Sequence, residues 1–394
     1  MEPADAREDF PILKDIIYLD SASTSLCPVQ VVRAVDEYEL QYRANVGRGV
    51  HRLAVVATQK YQDAHDKVAG MIGGRQGTTV FTRNTTEAIN MVALGMDFSP
   101  GDRIVTTLLE HHSNLLPWFR LKNQGRIGLD TIPPEKDGTL EISRFFDAID
   151  ENTRLVAVSQ ASNVLGTVVP VKKIAGLCKK YGARLLVDGA QSVPHMPVNV
   201  ADIGCDYFCF SGHKMLGPSG TGVLWMKEPD LSPMLVGGGM VAEIKADHYR
   251  EQPGFLGYEA GTPAIGAGIG LGRAVDYLQS IGMARVQAHE NSLTGRMIRG
   301  LSGIGGVDVY GPMATDQRIG VVSFTIAGMH PHDVAHILDE ASGIMVRSGE
   351  HCCSPLMRHL GATEGTVRAS LHLYNNGEDV EHLLTTVEEI SRMT

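Results

Sequence analysis

Lys214 is the first residue whose type and position suggest chemistry. It stands in SGHKMLGPSGTG, residues 211–222, just past a hydrophobic, strand-like run and before a glycine-rich turn. A lysine amine that is partly removed from water becomes neutral more easily and can form an imine with a carbonyl compound. A lone lysine near glycines is more often a solvated loop residue, so the imine interpretation depends on what other segments provide.

Asp188 is a candidate partner for that chemistry. It ends the strand-like part of LLVDGAQSV, residues 185–193, where a carboxylate can point at a bound ring and keep a pyridinium nitrogen protonated. That positive charge is what makes such a ring an electron sink. Taken alone, the segment could equally be an ordinary strand-to-turn aspartate.

A third segment, TRNTTEAINMVALGM at residues 82–96, opens like a capped helix. Asn84 precedes Glu87 by three residues, which is typical of a helix start. Backbone N–H groups at such an end, together with the Thr85 and Thr86 hydroxyls, can hold a phosphate. A plain helix cap is the alternative. With the lysine and the aspartate, however, this segment predicts a pyridoxal-phosphate site.

VRSGEHCCSPL at residues 346–356 contains two adjacent thiols, Cys352 and Cys353. A thiol in a glycine-containing loop beside Arg347 and His351 could have its pKa lowered toward a reactive thiolate. Inert loop cysteines are the alternative. The pair Cys205 and Cys209 lies inside a strand-like run without a second Cys or His pair at zinc spacing, so core packing is predicted there and no metal site.

These residues need elements to position them, and the middle of the chain provides an alternation of strands and helices. Amphipathic stretches such as residues 171–182 separate the β-rich runs, a pattern typical of a parallel sheet with helices on both faces. Ligands of such sheets bind beyond the carboxyl ends of the strands. The predicted strands are 103–107, 154–160, 183–188, 207–211 and 222–227.

The sequence pattern changes near Gly261, where two long helix-like stretches follow one another. We expect these helices to connect the large domain to a smaller one. The remaining part predicts an α+β layer of about 100 residues. Its predicted elements are a strand at 320–326, a helix at 331–341, a strand at 344–349 and a closing helix from Glu378.

The amino-acid composition limits the classes of protein to which this chain can belong. The 394 residues are 43% hydrophobic and 20% charged with 44 glycines, as in a globular α/β protein of two or three domains. The formal net charge of −10 argues against a protein that binds nucleic acid through phosphate contacts. Neither a secretory signal nor an apolar span long enough for a membrane is visible, and the six cysteines are sparse, so a cytoplasmic location is expected.

The same segments, with LEHHSN at 109–114, SNVLGT at 162–167 and YEAGTP at 258–263, resemble the aminotransferase class V family, and within it the cysteine desulfurases of the sulfur-mobilisation (Suf) type. The resemblance runs from YLDSAST at 18–24 to RASLHLYN at 368–375. It implies the α/β fold of type I pyridoxal-phosphate-dependent transferases: a large domain with a mostly parallel seven-stranded sheet between helices, and a smaller α+β C-terminal domain.

The resemblance also implies domain limits. Residues 1–25 would form an N-terminal segment that packs with the small domain, and residues 26–265 the large cofactor-binding domain. Residues 266–394 would hold the connecting helix and the small C-terminal domain, which carries the Cys352 loop.

Residue roles follow from the resemblance too. Lys214 would be the Schiff-base lysine, and His111 would stack over the ring and assist proton transfer. RSGEHC at residues 347–352 is similar to the R-[ST]-G-x-H-C sequence of related desulfurases, so Cys352 would be the nucleophile that accepts sulfur. The other implied roles are Asp188 on the pyridine nitrogen, Gln191 on the ring hydroxyl, Thr85, Thr86, Ser211 and His213 on the phosphate, Thr262 on the phosphate of a neighbouring subunit, and Asn163, Arg347 and Arg368 on the substrate.

The implied reaction takes sulfur from L-cysteine, leaves L-alanine, and loads a persulfide on Cys352 for an acceptor protein of iron–sulfur cluster assembly. A homodimer is implied, because Thr262 would serve the neighbouring site. Glu350 departs from the second histidine of some relatives, and its charge is expected to oppose thiolate formation. A selenocysteine lyase and a non-catalytic scaffold that binds assembly partners remain as alternatives.

Overall fold

Helices and strands alternate through most of the computed structural model, which describes residues 3–47 and 49–393. The helices are α1 (Val29–Gln41), α2 (Arg52–Met71), α3 (Thr85–Gly95), α4 (Leu116–Asn123), α5 (Ile142–Ala148), α6 (Val171–Tyr181), α7 (Val200–Ile203), α8 (Ile265–Ile281), α9 (Met283–Gly303), α10 (Pro331–Ser342), α11 (Ser354–His359) and α12 (Gly377–Ser391). The strands are β1 (Ile17–Tyr18), β2 (Thr78–Thr82), β3 (Arg103–Thr107), β4 (Gly128–Ile132), β5 (Thr153–Ser159), β6 (Arg184–Asp188), β7 (Tyr207–Ser211), β8 (Gly222–Met226), β9 (Val241–Ile244), β10 (Tyr249–Glu251), β11 (Val307–Tyr310), β12 (Val321–Ile326), β13 (Ile344–Met345), β14 (Arg347–Gly349) and β15 (Thr366–Ser370). None of the helices in these two ranges is long and apolar enough to cross a membrane.

The central sheet has seven strands in the order β2-β8-β7-β6-β5-β3-β4. It is mostly parallel, which confirms the sequence prediction, but β8 runs antiparallel to both of its neighbours. The reversed direction of β8 follows from the length of the connection between β7 and β8. Only the ten residues from Gly212 to Thr221 separate β7 from β8, and a parallel crossover needs a dozen or more.

Both faces of this sheet are buried, and its strands alternate between two hydrophobic clusters. In β5, Val156 and Val158 point into the cluster shared with α6 and α8, whereas Leu155 and Ala157 point into the cluster shared with α3 and α4. Burial on both faces explains why these strands are continuous apolar runs in the sequence. The helices thus fix the sheet from both sides.

A smaller antiparallel sheet, in the order β11-β12-β15-β14, forms the C-terminal layer. Its core is built with side chains of α9, α10 and α12. Asn376 caps α12 in a reciprocal capping box with Asp379. The helix begins at Gly377, one residue before the predicted start at Glu378. Against the side of this layer, β1 pairs in parallel with β13, Ile17 opposite Ile344.

The predicted N-terminal segment 1–25 contacts the small layer through β1, and its first two residues, Met1 and Glu2, lie outside the described residues. The long helices divide between the layers: α8 contributes to the core of the large sheet and α9 to that of the small one. The domain limits at 25/26 and 265/266 stay predictions.

Several parts of the chain differ from the sequence prediction, which did not include the strands β1, β2, β4, β11 and β15. The predicted strand 344–349 is split into β13, which pairs with β1, and β14, which pairs with β15. The hairpin of β9 and β10 was not predicted, because most of its residues are exposed and their sequence lacks apolar alternation. Cys205 and Cys209 are buried in the core as predicted.

Candidate active site

A cleft of about 210 Å³ lies at the carboxyl ends of β5, β6 and β7, the edge of the sheet where ligands of such folds bind. Of the predicted site residues, those that line it are Thr85, Thr86, His111, Asn163, Asp188, Gln191, Ser211, His213, Lys214, Arg347 and Arg368. The fold therefore brings together residues that are nearly 300 positions apart in the chain.

Lys214 and Asp188 form the inner part of the cleft. Burial lowers the pKa of the Lys214 ammonium to about 8; the Asp188 carboxylate opposes this shift, and Arg368 and Arg347 add to it. Burial raises the pKa of the Asp188 carboxyl, although its Oδ1 accepts from the Ala190 N–H at 2.9 Å. At pH 7 about a tenth of Lys214 is thus neutral, far more than for a lysine in water, and the neutral amine is the nucleophilic form.

The start of α3 forms one end of the cleft. Asn84 caps the helix, its Oδ1 accepting from the Glu87 N–H at 3.0 Å. The Thr85 N–H donates to Ser211 Oγ at 2.9 Å, and the Thr86 and Ser113 hydroxyls lie 2.7 Å apart. Hydroxyls and amides gathered at a helix start favour a bound anion.

Gly222 explains how β8 can approach this helix start so closely. A Cβ at this position would lie 2.4 Å from the Asn84 Cα, which no side chain tolerates. The first residue of β8 therefore has to be glycine for α3 to begin where it does.

His111 lies over the cleft as a neutral imidazole. Burial lowers its pKa to about 3, and the positive charge of Lys214 adds to this shift. Its Nδ1 accepts from the Ser113 N–H at 3.1 Å, which assigns the proton to Nε2. His213 is neutral as well, since burial lowers its pKa to about 4.

Two polar atoms beside the cleft lack partners among the described residues. Gln191 donates to the Ala22 carbonyl at 2.8 Å through Nε2, but its buried Oε1 has no donor. The Nε of Arg368 likewise has no acceptor. Buried polar atoms are normally satisfied, so these two indicate where a polar ligand completes the site.

Arg368 and Arg347 are held at the cleft by the N-terminal segment. Arg368 Nη2 donates to Asp20 Oδ1 at 2.9 Å and to Ser23 Oγ at 2.7 Å, and Arg347 Nη1 donates to the same hydroxyl at 3.1 Å. Arg368 Nη1 also donates to the Asn163 carbonyl oxygen at 2.9 Å. Two guanidinium groups are thereby fixed side by side, an arrangement suited to a carboxylate.

Cys352 lies beside the cleft next to Arg347, whose Nη2 is 3.6 Å from the Cys352 sulfur. The thiol is half-buried. The Cys352 carbonyl accepts from the His112 N–H at 2.8 Å, so the loop is attached to the large domain after β3. The cation that the sequence predicted beside the thiol is thus present in Arg347.

The expectation that His351 would also favour a thiolate is wrong. Its side chain is buried, its Nε2 lies 2.9 Å from Thr366 Oγ1, and burial lowers its pKa to about 2, so it is neutral. Glu350 is exposed, and its Oε2 accepts from Ser354 Oγ at 2.5 Å. Whether its charge opposes thiolate formation stays a prediction.

Two buried groups behind the cleft were not assigned a role from the sequence. Cys353 is fully buried, and its thiol lies 3.2 Å from Asn163 Oδ1 and 3.4 Å from the Glu110 carbonyl oxygen. Burial raises the pKa of the Glu110 carboxyl to about 7, although Thr107, Asn114 and Ser159 all donate to it.

Thr262 does not line this cleft. It lies in a second depression of about 470 Å³ with Arg83, Thr221 and Leu235. Its loop is anchored by Glu259, which accepts from Tyr61 Oη at 2.8 Å and lies 2.8 Å from His65 Nε2. Within one chain Thr262 is therefore separate from Lys214, as its predicted role toward a neighbouring subunit requires.

The residues that orient other side chains around the cleft were not predicted from the sequence. Asp20 and Ser23 lie in YLDSAST, which contributed to the resemblance, and Ser113 lies in LEHHSN, but no role was attached to them. A polar residue directly after a short apolar run, as at Asp20, was the signal available. Its partner Arg368 is distant in the chain, so only the fold reveals the pairing.

The arrangement offers a nucleophilic amine, a buried carboxylate, an anion-binding helix start, a guanidinium pair and a half-buried thiol around one cleft. Among the described residues no group of His, Cys, Asp and Glu side chains could hold a metal ion. Such a set is able to bind a phosphate-bearing ring and a small carboxylate substrate together.

Comparison with known proteins agrees with this geometry. The family model described as Aminotransferase class-V matches residues 17–383. A curated relative named "Probable cysteine desulfurase", from Methanothermobacter thermautotrophicus, is 46% identical over 100% of this chain and 99% of its own length. A solved cysteine desulfurase from Thermococcus onnurineus NA1 superposes with a TM-score of 0.96 at 44% identity, covering 100% and 99% of the two chains. One from Escherichia coli, in an S-sulfonic acid form, gives 0.91 at 33% identity with the same coverage.

Proposed function

The chain belongs to the aminotransferase class-V family, and we propose that Lys214 holds pyridoxal phosphate in its cleft while Cys352 takes the sulfur of L-cysteine. The activity is that of a cysteine desulfurase, the name carried by relatives of 40–46% identity over nearly the full chain. The observation that carries the assignment of roles is the thiol of Cys352 beside Arg347, a residue that lines the same cleft as Lys214 and Asp188.

The residues present fit pyridoxal phosphate. The unpartnered Gln191 Oε1 would accept from the ring hydroxyl, and the buried Asp188 carboxyl would hold the proton of the ring nitrogen. The start of α3, with Ser211 and His213, would hold the phosphate. When bound, this cofactor withdraws electrons from the substrate and weakens bonds at its Cα.

Arg368 and Arg347 would bind the substrate carboxylate, and the free Arg368 Nε–H is available for one of its oxygens. Lys214, with a pKa of about 8, can take a proton from the substrate Cα and return one. Neutral His111 places its Nε2 proton at the cleft without adding positive charge. Asn163, between Arg368 and the Cys352 loop, would orient the carboxylate.

The transfer of sulfur from the substrate to Cys352 balances in atoms and electrons. The Cys352 thiolate attacks the substrate sulfur, an S–S bond forms, and the substrate Cβ–S bond breaks. The electron pair of that bond stays with the substrate carbon, which takes up a proton and becomes the methyl group of alanine. L-cysteine and the enzyme thiol thus give alanine and an enzyme persulfide, and no external oxidant is needed.

A homodimer completed by Thr262, a sulfur-acceptor protein of iron–sulfur cluster assembly and a cytoplasmic location belong to the same proposal. The exposed position of Thr262 and its separation from Lys214 support the dimer. Selenocysteine lyase activity would use the same cofactor site and can need the Cys352 thiol less, so the two activities differ in how much they depend on this thiol.

The test measures alanine and sulfide released from L-cysteine with dithiothreitol present. We expect equal amounts of both products from the intact protein, none from Lys214→Ala, and a loss of at least about a hundredfold with Cys352→Ala. A Cys178→Ala variant, which removes a buried thiol of α6, should match the intact protein. Full activity of Cys352→Ala on L-cysteine would refute the role of this thiol, and retained activity on selenocysteine alone would favour the lyase.

A further inference from the structure

The loop that carries Cys352 is held in an unfavourable backbone conformation. His351 and Cys352 have φ values of 52° and 58°, and Gly349 just before them has φ 107°. Apart from Leu216, no other non-glycine residue in the described chain has φ in the left-handed region. Residues other than glycine seldom adopt such φ values. Two of them in succession therefore persist only where surrounding hydrogen bonds hold them.

A turn bond from the Cys353 N–H to the Glu350 carbonyl at 2.9 Å closes the loop, and two further hydrogen bonds attach it to the large domain on either side of Cys352. Asn163 Nδ2 donates to the His351 carbonyl at 2.9 Å, and the His112 N–H donates to the Cys352 carbonyl at 2.8 Å. The second is a main-chain bond and cannot be lost by a change of side chain. The first depends on which way the Asn163 amide faces.

Cys353 sets the direction of that amide. Its thiol lies 3.2 Å from Asn163 Oδ1, closer than its 3.4 Å contact with the Glu110 carbonyl oxygen. The thiol supplies the hydrogen, because burial raises the pKa of Cys353 far above its usual range. With Oδ1 on the thiol, Nδ2 must face the His351 carbonyl.

The main chain of the same residue leads to the substrate side of the cleft. The main-chain carbonyl of Asn163 accepts from Arg368 Nη1 at 2.9 Å. Asn163 thus joins the Cys352 loop to the guanidinium that would take the substrate carboxylate. A shift of Asn163 moves both groups relative to one another.

We propose that Cys353 is a positioning residue whose thiol hydrogen bond to Asn163 clamps the loop that presents Cys352, and that it does not carry sulfur itself. The inference rests on the proposed desulfurase function. A sulfur carrier must be reached by its acceptor, whereas Cys353 is fully enclosed between Glu110 and Asn163; Cys352 is half-buried beside Arg347. Adjacent cysteines in this chain therefore have different tasks.

The test compares Cys353→Ala with Cys353→Ser, which keeps a donor on Asn163, and with Cys178→Ala as a matched loss of a buried thiol. We expect kcat on L-cysteine to fall about tenfold or more in Cys353→Ala, since a small misplacement of a reacting group costs that much. Cys353→Ser should recover most of the rate, and Cys178→Ala should equal the intact protein.

A second readout does not require turnover. Alkylation of Cys352 by iodoacetamide, followed by mass spectrometry of the loop peptide, reports how the sulfur is placed beside Arg347. We expect alkylation to slow at least about threefold in Cys353→Ala and to return in Cys353→Ser, because a released loop moves Cys352 away from the guanidinium.

Two results would overturn the proposal: an unchanged kcat and alkylation rate in Cys353→Ala, or a persulfide on Cys353 in the Cys352→Ala protein after incubation with L-cysteine. If Cys353→Ala does not fold, the persulfide measurement in the Cys352→Ala protein decides whether Cys353 carries sulfur. If the intact protein forms no alanine, the proposed function fails, whereas the alkylation contrast still tests the clamp.

Discussion

At the scale of single residues, burial decides which groups around the cleft carry charge. The imidazoles of His111 and His213 are neutral at any pH near 7, because burial lowers their pKa values to about 3 and about 4. The positive charge of the site is left to Arg347 and Arg368, with Lys214 titrating near pH 8. The cleft is thus set up for an anionic substrate without relying on a histidine cation.

The buried carboxyl of Glu110 should make the stability of the folded protein depend on pH. Burial raises its pKa from 4.5 to about 7, so the folded state binds a proton that the unfolded state has lost between these values. Its contribution to stability is fully present below pH 4.5 and is lost as pH rises to 7, a change of up to about 3 kcal/mol. We expect the free energy of unfolding of the intact protein, relative to Glu110→Gln, to fall by this order between pH 4.5 and pH 7.5.

Urea denaturation at several pH values checks this expectation. Glu389→Gln, a change at an exposed position on α12, should run parallel to the intact protein across the range. A constant difference between Glu110→Gln and the intact protein would show that Glu110 does not titrate in this window.

The candidate site could be predicted from the sequence as far as single residues carry their own signal. Lys214, Asp188 and Cys352 each lie in a segment with a recognisable pattern. The direction in which His351 points, and the enclosure of Cys353, depend on Thr366 and Asn163, which are distant in the chain. No local pattern encodes those contacts.

At the scale of elements, the approach of β8 to the start of α3 determines the anion-binding end of the cleft. We expect Gly222→Ala to displace Asn84, because the new Cβ would lie 2.4 Å from the Asn84 Cα. Destabilisation on the order of 1–3 kcal/mol and weaker retention of pyridoxal phosphate should follow. Thermal unfolding and the cofactor remaining after dialysis measure the two effects.

The matched control is Gly176→Ala in α6, where a Cβ would meet no atom within 4 Å. Alanine there should be neutral or stabilise by up to about 1 kcal/mol, since it is the better helix former. Equal behaviour of the two variants would mean that the backbone at Gly222 moves aside without consequence.

The parallel sheet was predictable from alternation, but the reversed β8 and the split of β13 from β14 were not. The reversal depends on the length of one connection, and the split depends on β1, which lies more than 300 residues earlier. Local sequence predicts that these residues are extended; it does not specify their partners.

At the scale of the whole molecule, Thr262 and the exposed apolar side chains near it bear on assembly. Leu235 lines the same depression as Thr262 and is 53% exposed, and Val236, the next residue in the chain, is 60% exposed. A second copy of the chain that covers this surface would bring Thr262 to another cleft. Two identical sites would then each contain residues from both chains.

Mixing two inactive variants tests this sharing. Lys214→Ala lacks the amine, and Thr262→Asp would repel the cofactor phosphate of the neighbouring cleft. After the two proteins are unfolded and refolded together, hybrid dimers contain one site of intact composition. We expect roughly a quarter of all sites to be active, from random pairing of two chains.

Each variant refolded alone is the control and should stay inactive. If the mixture is no more active than the variants alone although hybrids form, Thr262 acts within its own chain or not at all. Size-exclusion chromatography with light scattering establishes the hybrids independently of activity.

The parallel pairing of β1 with β13 has a consequence for how the chain folds as it is made. Ile17 leaves the ribosome long before Ile344, and 327 residues separate the two. At about 5–20 residues per second, the first strand waits roughly 16–65 seconds for its partner. Asp20 and Ser23 follow this strand directly, so the guanidinium pair of the cleft is assembled only after Arg347 and Arg368 have been made. A nascent chain can therefore bury its large sheet early, yet it acquires a substrate site only after Arg368 has been made.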